Sequence, residues 1–232
     1  MFFDPLYFLF AIPGILLALW AQGKVKSAYA KYSQVPTLTG YSGQDAARIL
    51  NHRNGLGVEI THTDGELTDH YDPSKRLVAL SHSSQYNSIA AVAIVAHEFG
   101  HAVQHSQKDP MLMLRGAIVP VVNISSGIAP WLFMGGALLG LGSGLGSALA
   151  WLGVIGFGLA AVFALVTLPV EFDASRRALA MIRENNLLTE TEMRGAKQVL
   201  DAAALTYVAA AASALLTLLY FVLRLTGVRR DD

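Results

Sequence analysis

Residues 116–170 pass without a single Asp, Glu, Lys, Arg or His, fifty-five positions in succession. As one straight helix they would reach about 80 Å, whereas the hydrocarbon core of a bilayer is about 30 Å thick. The stretch must turn back on itself. Its Gly-rich centre, Gly135 to Gly146, supplies the turn, so the segment reads as a hairpin of two transmembrane helices, 116–138 and 148–170. Such a hairpin returns the chain to the side of the membrane it left.

Two further segments have the same character. Phe2 to Gln22 is apolar apart from Asp4 and long enough to span a bilayer. No Lys or Arg precedes it, while Lys24, Lys26 and Lys31 follow. A signal peptide has the reverse charge order, so this is an uncleaved anchor, with Pro13-Gly14 as a place for a kink. The fourth span is 204–226. It continues a helix that opens on the capping-box pattern Thr189-Glu-Thr-Glu192 and has amphipathic first turns through Met193, Val199 and Leu200. A composition 53% hydrophobic and 15% charged, with mean hydropathy +0.43, agrees with a membrane protein. Fourteen of the seventeen Lys and Arg lie between the first and second helices or the third and fourth, and none lies in the hairpin turn. By the positive-inside bias those basic segments face the cytoplasm and both termini lie outside. Arg224, Arg229 and Arg230 run against that count, with Asp231 and Asp232 partly offsetting them.

Residues 23–115 have a soluble composition. Tyr29 to Tyr41 is a linker, and Ser42-Gly-Gln-Asp45 opens a short helix with the apolar stripe Ala46, Ile49 and Leu50, which ends at Gly55 and Gly57. Three short strands follow, Val58–Thr61, Leu67–Tyr71 and Arg76–Leu80, joined by the turns Asp64-Gly65 and Asp72-Pro-Ser-Lys75. A helix is then expected from about Tyr86 to Gln107. The order helix, small sheet, helix is the one zincin-type peptidases use, in which the last strand can pair with an extended substrate. His70-Tyr71-Asp72 is expected in a turn beside that edge strand.

That last helix carries His97-Glu98-Phe99-Gly100-His101. Residues four apart share a helix face, so His97 and His101 can present two imidazoles to one cation, while Glu98 points beside it. This is the HExxH pattern, with two ligands, one general base and Zn²⁺ as the natural occupant. Two histidines and an acid buried without a metal would carry an uncompensated desolvation penalty. With no Cys in the chain, a third ligand must be His, Asp or Glu. His105 lies about 12 Å along the helix from His97 and cannot share the ion. The metzincin continuation fails because residues 104 and 107 are both Gln. Glu171, directly after the apolar hairpin, returns to the face of the membrane that holds the histidines and is the favoured third ligand. Asp173 is its rival and, failing that, a group that orients an imidazole. Asp109, just past the helix end, stays open. In the chemistry this implies, Glu98 takes the proton of an attacking water and passes it to the leaving amine. The residue that stabilises the oxyanion is not singled out by spacing.

The segments Ala91–Ala96 before His97, Thr68–Pro73, Leu168-Pro-Val-Glu-Phe-Asp-Ala-Ser175 and Ala203–Val208 together resemble the YugP family of bacterial membrane-embedded zinc metallopeptidases. The Glu171-Phe-Asp-Ala-Ser175 stretch is also similar to the Glu-x-x-x-Asp element of HtpX-like membrane gluzincins. Their Glu is the third zinc ligand, which puts that role on Glu171. Ser175 stands where their Asp would be. The resemblance implies proteolysis in a bacterial plasma membrane, with a protein or peptide substrate.

The expected fold is thus a mainly α membrane protein, four transmembrane helices plus a small zincin-like α+β catalytic domain with a short sheet and an HExxH helix. Its parts are 1–22 (first span), 23–115 (catalytic domain), 116–170 (hairpin), 171–203 (helical segment with the third ligand) and 204–226 (fourth span). Zero net charge argues against a nucleic-acid partner. Gly140–Gly146 lacks the GxGxxG spacing and no GxxxxGK loop occurs, so no nucleotide is expected. The expected activity is that of a zinc metalloendopeptidase with its site at the cytoplasmic membrane face. A membrane scaffold or adaptor that keeps a zinc site for structure is the alternative, and Glu98 discriminates, since a structural site has no use for a free carboxylate. Cleavage inside the bilayer would need the His97–His101 helix to span it, and Ile89–Val103 is too short and flanked by polar residues.

Overall fold

The computed structural model describes residues 4–227. Phe2 and Phe3 at the head of the first expected span, and Arg229, Arg230, Asp231 and Asp232 of the charge count, lie outside the described residues. The elements are helices α1 (Pro5–Tyr32) and α2 (Gly43–Arg53) and strands β1 (Glu59–His62), β2 (His70–Asp72) and β3 (Leu77–Leu80). After these come a 3₁₀ turn (His82–Gln85) and helices α3 (Ile89–Ser106), α4 (Pro110–Leu138), α5 (Gly144–Glu184) and α6 (Met193–Gly227). Four of them, α1, α4, α5 and α6, are long and apolar enough to cross a membrane. The chain is mainly helical with one small three-stranded sheet.

The described residues form two compact units. One holds 4–20, 114–168 and 206–227. Here the glycines of α5 sit against α4: a Cβ on Gly153 would lie 2.8 Å from Ala129 O, and one on Gly156 would lie 2.6 Å from Ala129 Cβ. Close approach of this kind replaces the hydrophobic driving force that lipid cannot supply. Phe221 stacks on Phe157 and meets Phe133 edge-on where α4, α5 and α6 meet, and Tyr220 Oη donates to Asp4 Oδ2 at 3.0 Å. Outward residues such as Leu9, Leu16, Ile124, Trp131 and Ile155 are exposed, as a lipid-facing surface requires.

The other unit holds residues 21–113 and 169–205, with α3 at its centre. Ile89, Val92, Val95, Ala96 and Phe99 are buried in one apolar core with Leu50, Val78, Leu80, Ile182, Leu187 and Ala196. Ser88 caps α3 by accepting from Ala91 N, so the helix starts at Ile89, three residues later than the sequence suggests. The expected capping box of α2 is formed by Ser42 and Asp45. Glu192 accepts from Thr189 N and Oγ1, both 2.7 Å, and from Leu38 N at 2.6 Å, so the start of α6 also anchors the linker after α1.

The sheet corrects one expectation. Its order is β1-β3-β2, with β1 parallel and β2 antiparallel to β3. The last strand is therefore central rather than an edge, and its Val78, Ala79 and Leu80 form an uninterrupted buried run, as in strands covered on both faces. His70–Asp72 is itself the strand beside it, paired on one side only, and not a turn. Helix α1 also continues to Tyr32, four residues into the expected linker.

Candidate metal centre

The site lies within the second unit, between α3 and the part of α5 that follows Pro169. Gly100 lets these two helices touch: a Cβ there would lie 2.5 Å from Ala174 O. On α3, Gly100 is flanked by His97 and His101, and on α5, Ala174 is flanked by Glu171 and Ser175. The close backbone contact therefore brings these four side chains together. His97 Nε2 lies 3.2 Å and His101 Nε2 3.5 Å from Glu171 Oε2, and the potential ligand atoms of the three residues lie within 4.8 Å of one another. Glu171 and His101 are buried and His97 nearly so.

This donor set fits a zinc ion. Bonds of about 2.0–2.1 Å in a tetrahedron put donor atoms about 3.3 Å apart, close to the two His–Glu separations. Two imidazoles and one carboxylate leave a fourth position free. Each imidazole is also held by its other nitrogen. Ser175 Oγ lies 3.2 Å from His97 Nδ1, and Gln104 Oε1 lies 3.0 Å from His101 Nδ1. Both Nε2 atoms consequently face Glu171. Burial works against a charge on His101, but Glu171 and Glu98 outweigh it and hold the imidazole above its usual range. The centre therefore attracts positive charge, from protons or from a metal.

Glu98 is held beside the three ligand candidates. Its Oε2 accepts from the backbone N–H of Tyr71 at 2.9 Å, an amide on the open side of β2 that the ladder to β3 does not use. Burial pushes the Glu98 carboxyl up, against the lowering influence of His97 and His101. Of the other sequence candidates, Asp173 lies two residues from Glu171 but bonds to Arg176, Arg177 and Gln104, so it reaches His101 only through the Gln104 amide. Asp109 accepts from Met111 N and Leu112 N at the head of α4. It lies 3.9 Å from Arg177. His105, one turn past His101, bonds through Nδ1 to Tyr71 Oη at 2.7 Å. The two line a cavity of about 350 Å³ together with Leu56, Val58, Arg76 and Met113.

Three contributors had little signal in sequence. Gln104 sits three residues after His101, the spacing at which helical side chains meet, and that was its only mark. Gly100 between the histidines pointed to a close approach without saying to what. The Tyr71 amide had none, because a backbone donor carries no residue identity.

Four helices long and apolar enough to cross a membrane accompany a largely buried two-histidine, one-carboxylate group that could hold a metal ion. Residues 7–226 match the family described as "Putative neutral zinc metallopeptidase". The Bacillus subtilis (strain 168) protein named "Putative membrane protease YugP" is 46% identical over 229 residues, 98% of this chain and 100% of that relative. No solved structure matches at a significant level. The chain belongs to the family described as "Putative neutral zinc metallopeptidase".

Proposed function

We propose that the protein is an integral-membrane zinc endopeptidase of gluzincin type, with His97, His101 and Glu171 as metal ligands and Glu98 as general base. The observation that carries this reading is the convergence of His97 Nε2 and His101 Nε2 on Glu171 Oε2, at 3.2 and 3.5 Å, with the ligand atoms of all three residues within 4.8 Å of one another and a further, partly buried carboxylate held close by. A zinc held by His97, His101 and Glu171 would supply a Lewis acid, able to polarise a scissile carbonyl and to make an attacking water acidic. Glu98 takes the proton of that water and delivers it to the leaving amine. The Tyr71 amide occupies Glu98 Oε2, which leaves Oε1 to handle the proton. Ser175 and Gln104 keep the imidazoles turned towards the ion. The cavity walled by Tyr71 and His105 is a recess for a substrate side chain beside the strand edge. The domain with the site is the zincin-like one, residues 23–115 completed by 171–203. The distribution of basic residues supports a multi-pass protein of the plasma membrane whose site faces the cytoplasm.

The test is zinc stoichiometry and cleavage of casein and of unfolded membrane proteins by purified protein, wild type against Glu98→Gln. One zinc per chain in both, with cleavage reduced by about 10²–10⁴ in the variant, supports the reading. Equal cleavage by both proteins, or no zinc in the wild type, overturns it. Zinc in both proteins with cleavage in neither favours the scaffold.

A further inference from the structure

Gln104 is fully buried on α3 and makes three polar contacts. Its Nε2 donates to Val170 O at 2.9 Å and to Asp173 Oδ2 at 2.9 Å, and its Oε1 faces His101 Nδ1 at 3.0 Å. Both partners of Nε2 are pure acceptors. A peptide carbonyl has no proton to give, and Asp173, paired with Arg176 and Arg177, has none either. Turning the amide over would press its oxygen against two acceptor oxygens in a buried place, a loss of two hydrogen bonds plus repulsion. The amide therefore has one satisfied orientation, and in it only an acceptor is offered to His101. Nδ1 of His101 must then carry a proton, so in the neutral imidazole it is Nε2 that has the lone pair.

We infer that Gln104, locked by Val170 O and Asp173, is a positioning residue that holds His101 as the Nδ1–H form, so that Nε2 is the atom offered to a metal. Asp173 acts on the centre only through this amide. His97 is served separately by Ser175, so the two imidazoles are oriented by independent groups from α3 and α5. The inference rests on the reading of His97, His101 and Glu171 as a metal site, and it deepens that reading.

The test uses the full chain in detergent, with zinc affinity read by competition against a chromophoric chelator and folding by thermal denaturation of the metal-free protein. Gln104→Met removes the acceptor and is expected to weaken zinc binding about 10- to 100-fold, the usual effect of removing a group that orients a ligand. Gln104→Glu keeps an acceptor towards His101 but turns a carboxylate oxygen towards Val170 O and Asp173. It should lower the Tm while keeping zinc affinity well above that of the Met variant. A merely structural role would lose both together. Asp173→Ala should weaken zinc binding in the wild-type background and add nothing in the Gln104→Met background, because both changes cut one connection. If Gln104→Met destroys the fold, the Glu variant and Asp173→Ala carry the test alone. Wild-type zinc affinity in Gln104→Met, or affinities that track Tm through all variants, overturns the inference. A wild type that binds no zinc overturns the metal-site reading on which it rests.

Discussion

Replacing Gly100 by Ala tests whether helix contact sets the ligand spacing. The added methyl would sit 2.5 Å from Ala174 O, 3.0 Å from its carbonyl carbon and 3.1 Å from its Cα. All three are backbone atoms that cannot rotate away. Ordinary carbon–oxygen contact needs about 3.4 Å, so the helices must part by roughly 0.9 Å at this point. Glu171 is one turn before Ala174 and moves with it. Its distances to His97 and His101, now 3.2 and 3.5 Å, would rise to roughly 4 Å, wider than the roughly 3.3 Å that tetrahedral bonds of about 2.1 Å ask for. The stability effect is smaller. Overpacking costs about 1–3 kcal/mol, and the better helix propensity of Ala returns about 1 kcal/mol, for a net loss of about 0–2 kcal/mol. Metal-free Gly100→Ala should therefore fold with a modestly lower Tm, yet bind zinc at least tenfold more weakly and lose about 10²-fold in peptide cleavage. Chelator competition and casein hydrolysis read these out. Wild-type zinc affinity in a folded Gly100→Ala protein would refute the argument.

Other expectations follow from single contacts. Ser175→Ala removes the partner of His97 Nδ1 and should weaken zinc binding about tenfold, while Ser175→Asp should bind at least as tightly as wild type; equilibrium competition distinguishes them. Glu192, buried and held below the usual carboxylate range by Thr189 and Leu38 N–H against the effect of burial, contributes stability that is complete above the ordinary Glu value and lost as pH falls through the lowered one. Glu192→Gln should thus cost about 1–3 kcal/mol at pH 7 and flatten the acid loss of Tm below about pH 4.5. Since the chain has no Cys, Gln34→Cys and Gly142→Cys can be labelled individually in intact cells. An impermeant maleimide should modify only position 142, and the reverse result would invert the orientation.

The four long apolar helices could be read from the chain because the bilayer imposes a one-dimensional rule, uncharged length, on each segment by itself. The His97–His101 pair could be read for a similar reason, since helical repeat alone puts residues four apart on one face. Glu171 needed the additional argument that a hairpin returns the chain to its starting side. The strand order could not be read, because which neighbour β3 takes depends on what covers its buried faces rather than on any local pattern.

The meeting of α3 with α5 at Gly100 and Ala174 was a tertiary decision, as were the turning of two imidazoles by Ser175 and Gln104 and the capture of Glu98 by the Tyr71 amide. Each joins residues or backbone groups 27 or more positions apart, except the His101–Gln104 step. Sequence spacing carries information only about groups that one element holds in a fixed relation. Orientation of a ligand depends on atoms that only packing brings within hydrogen-bonding distance, and a backbone amide or carbonyl, identical at nearly every residue, leaves no mark in the sequence.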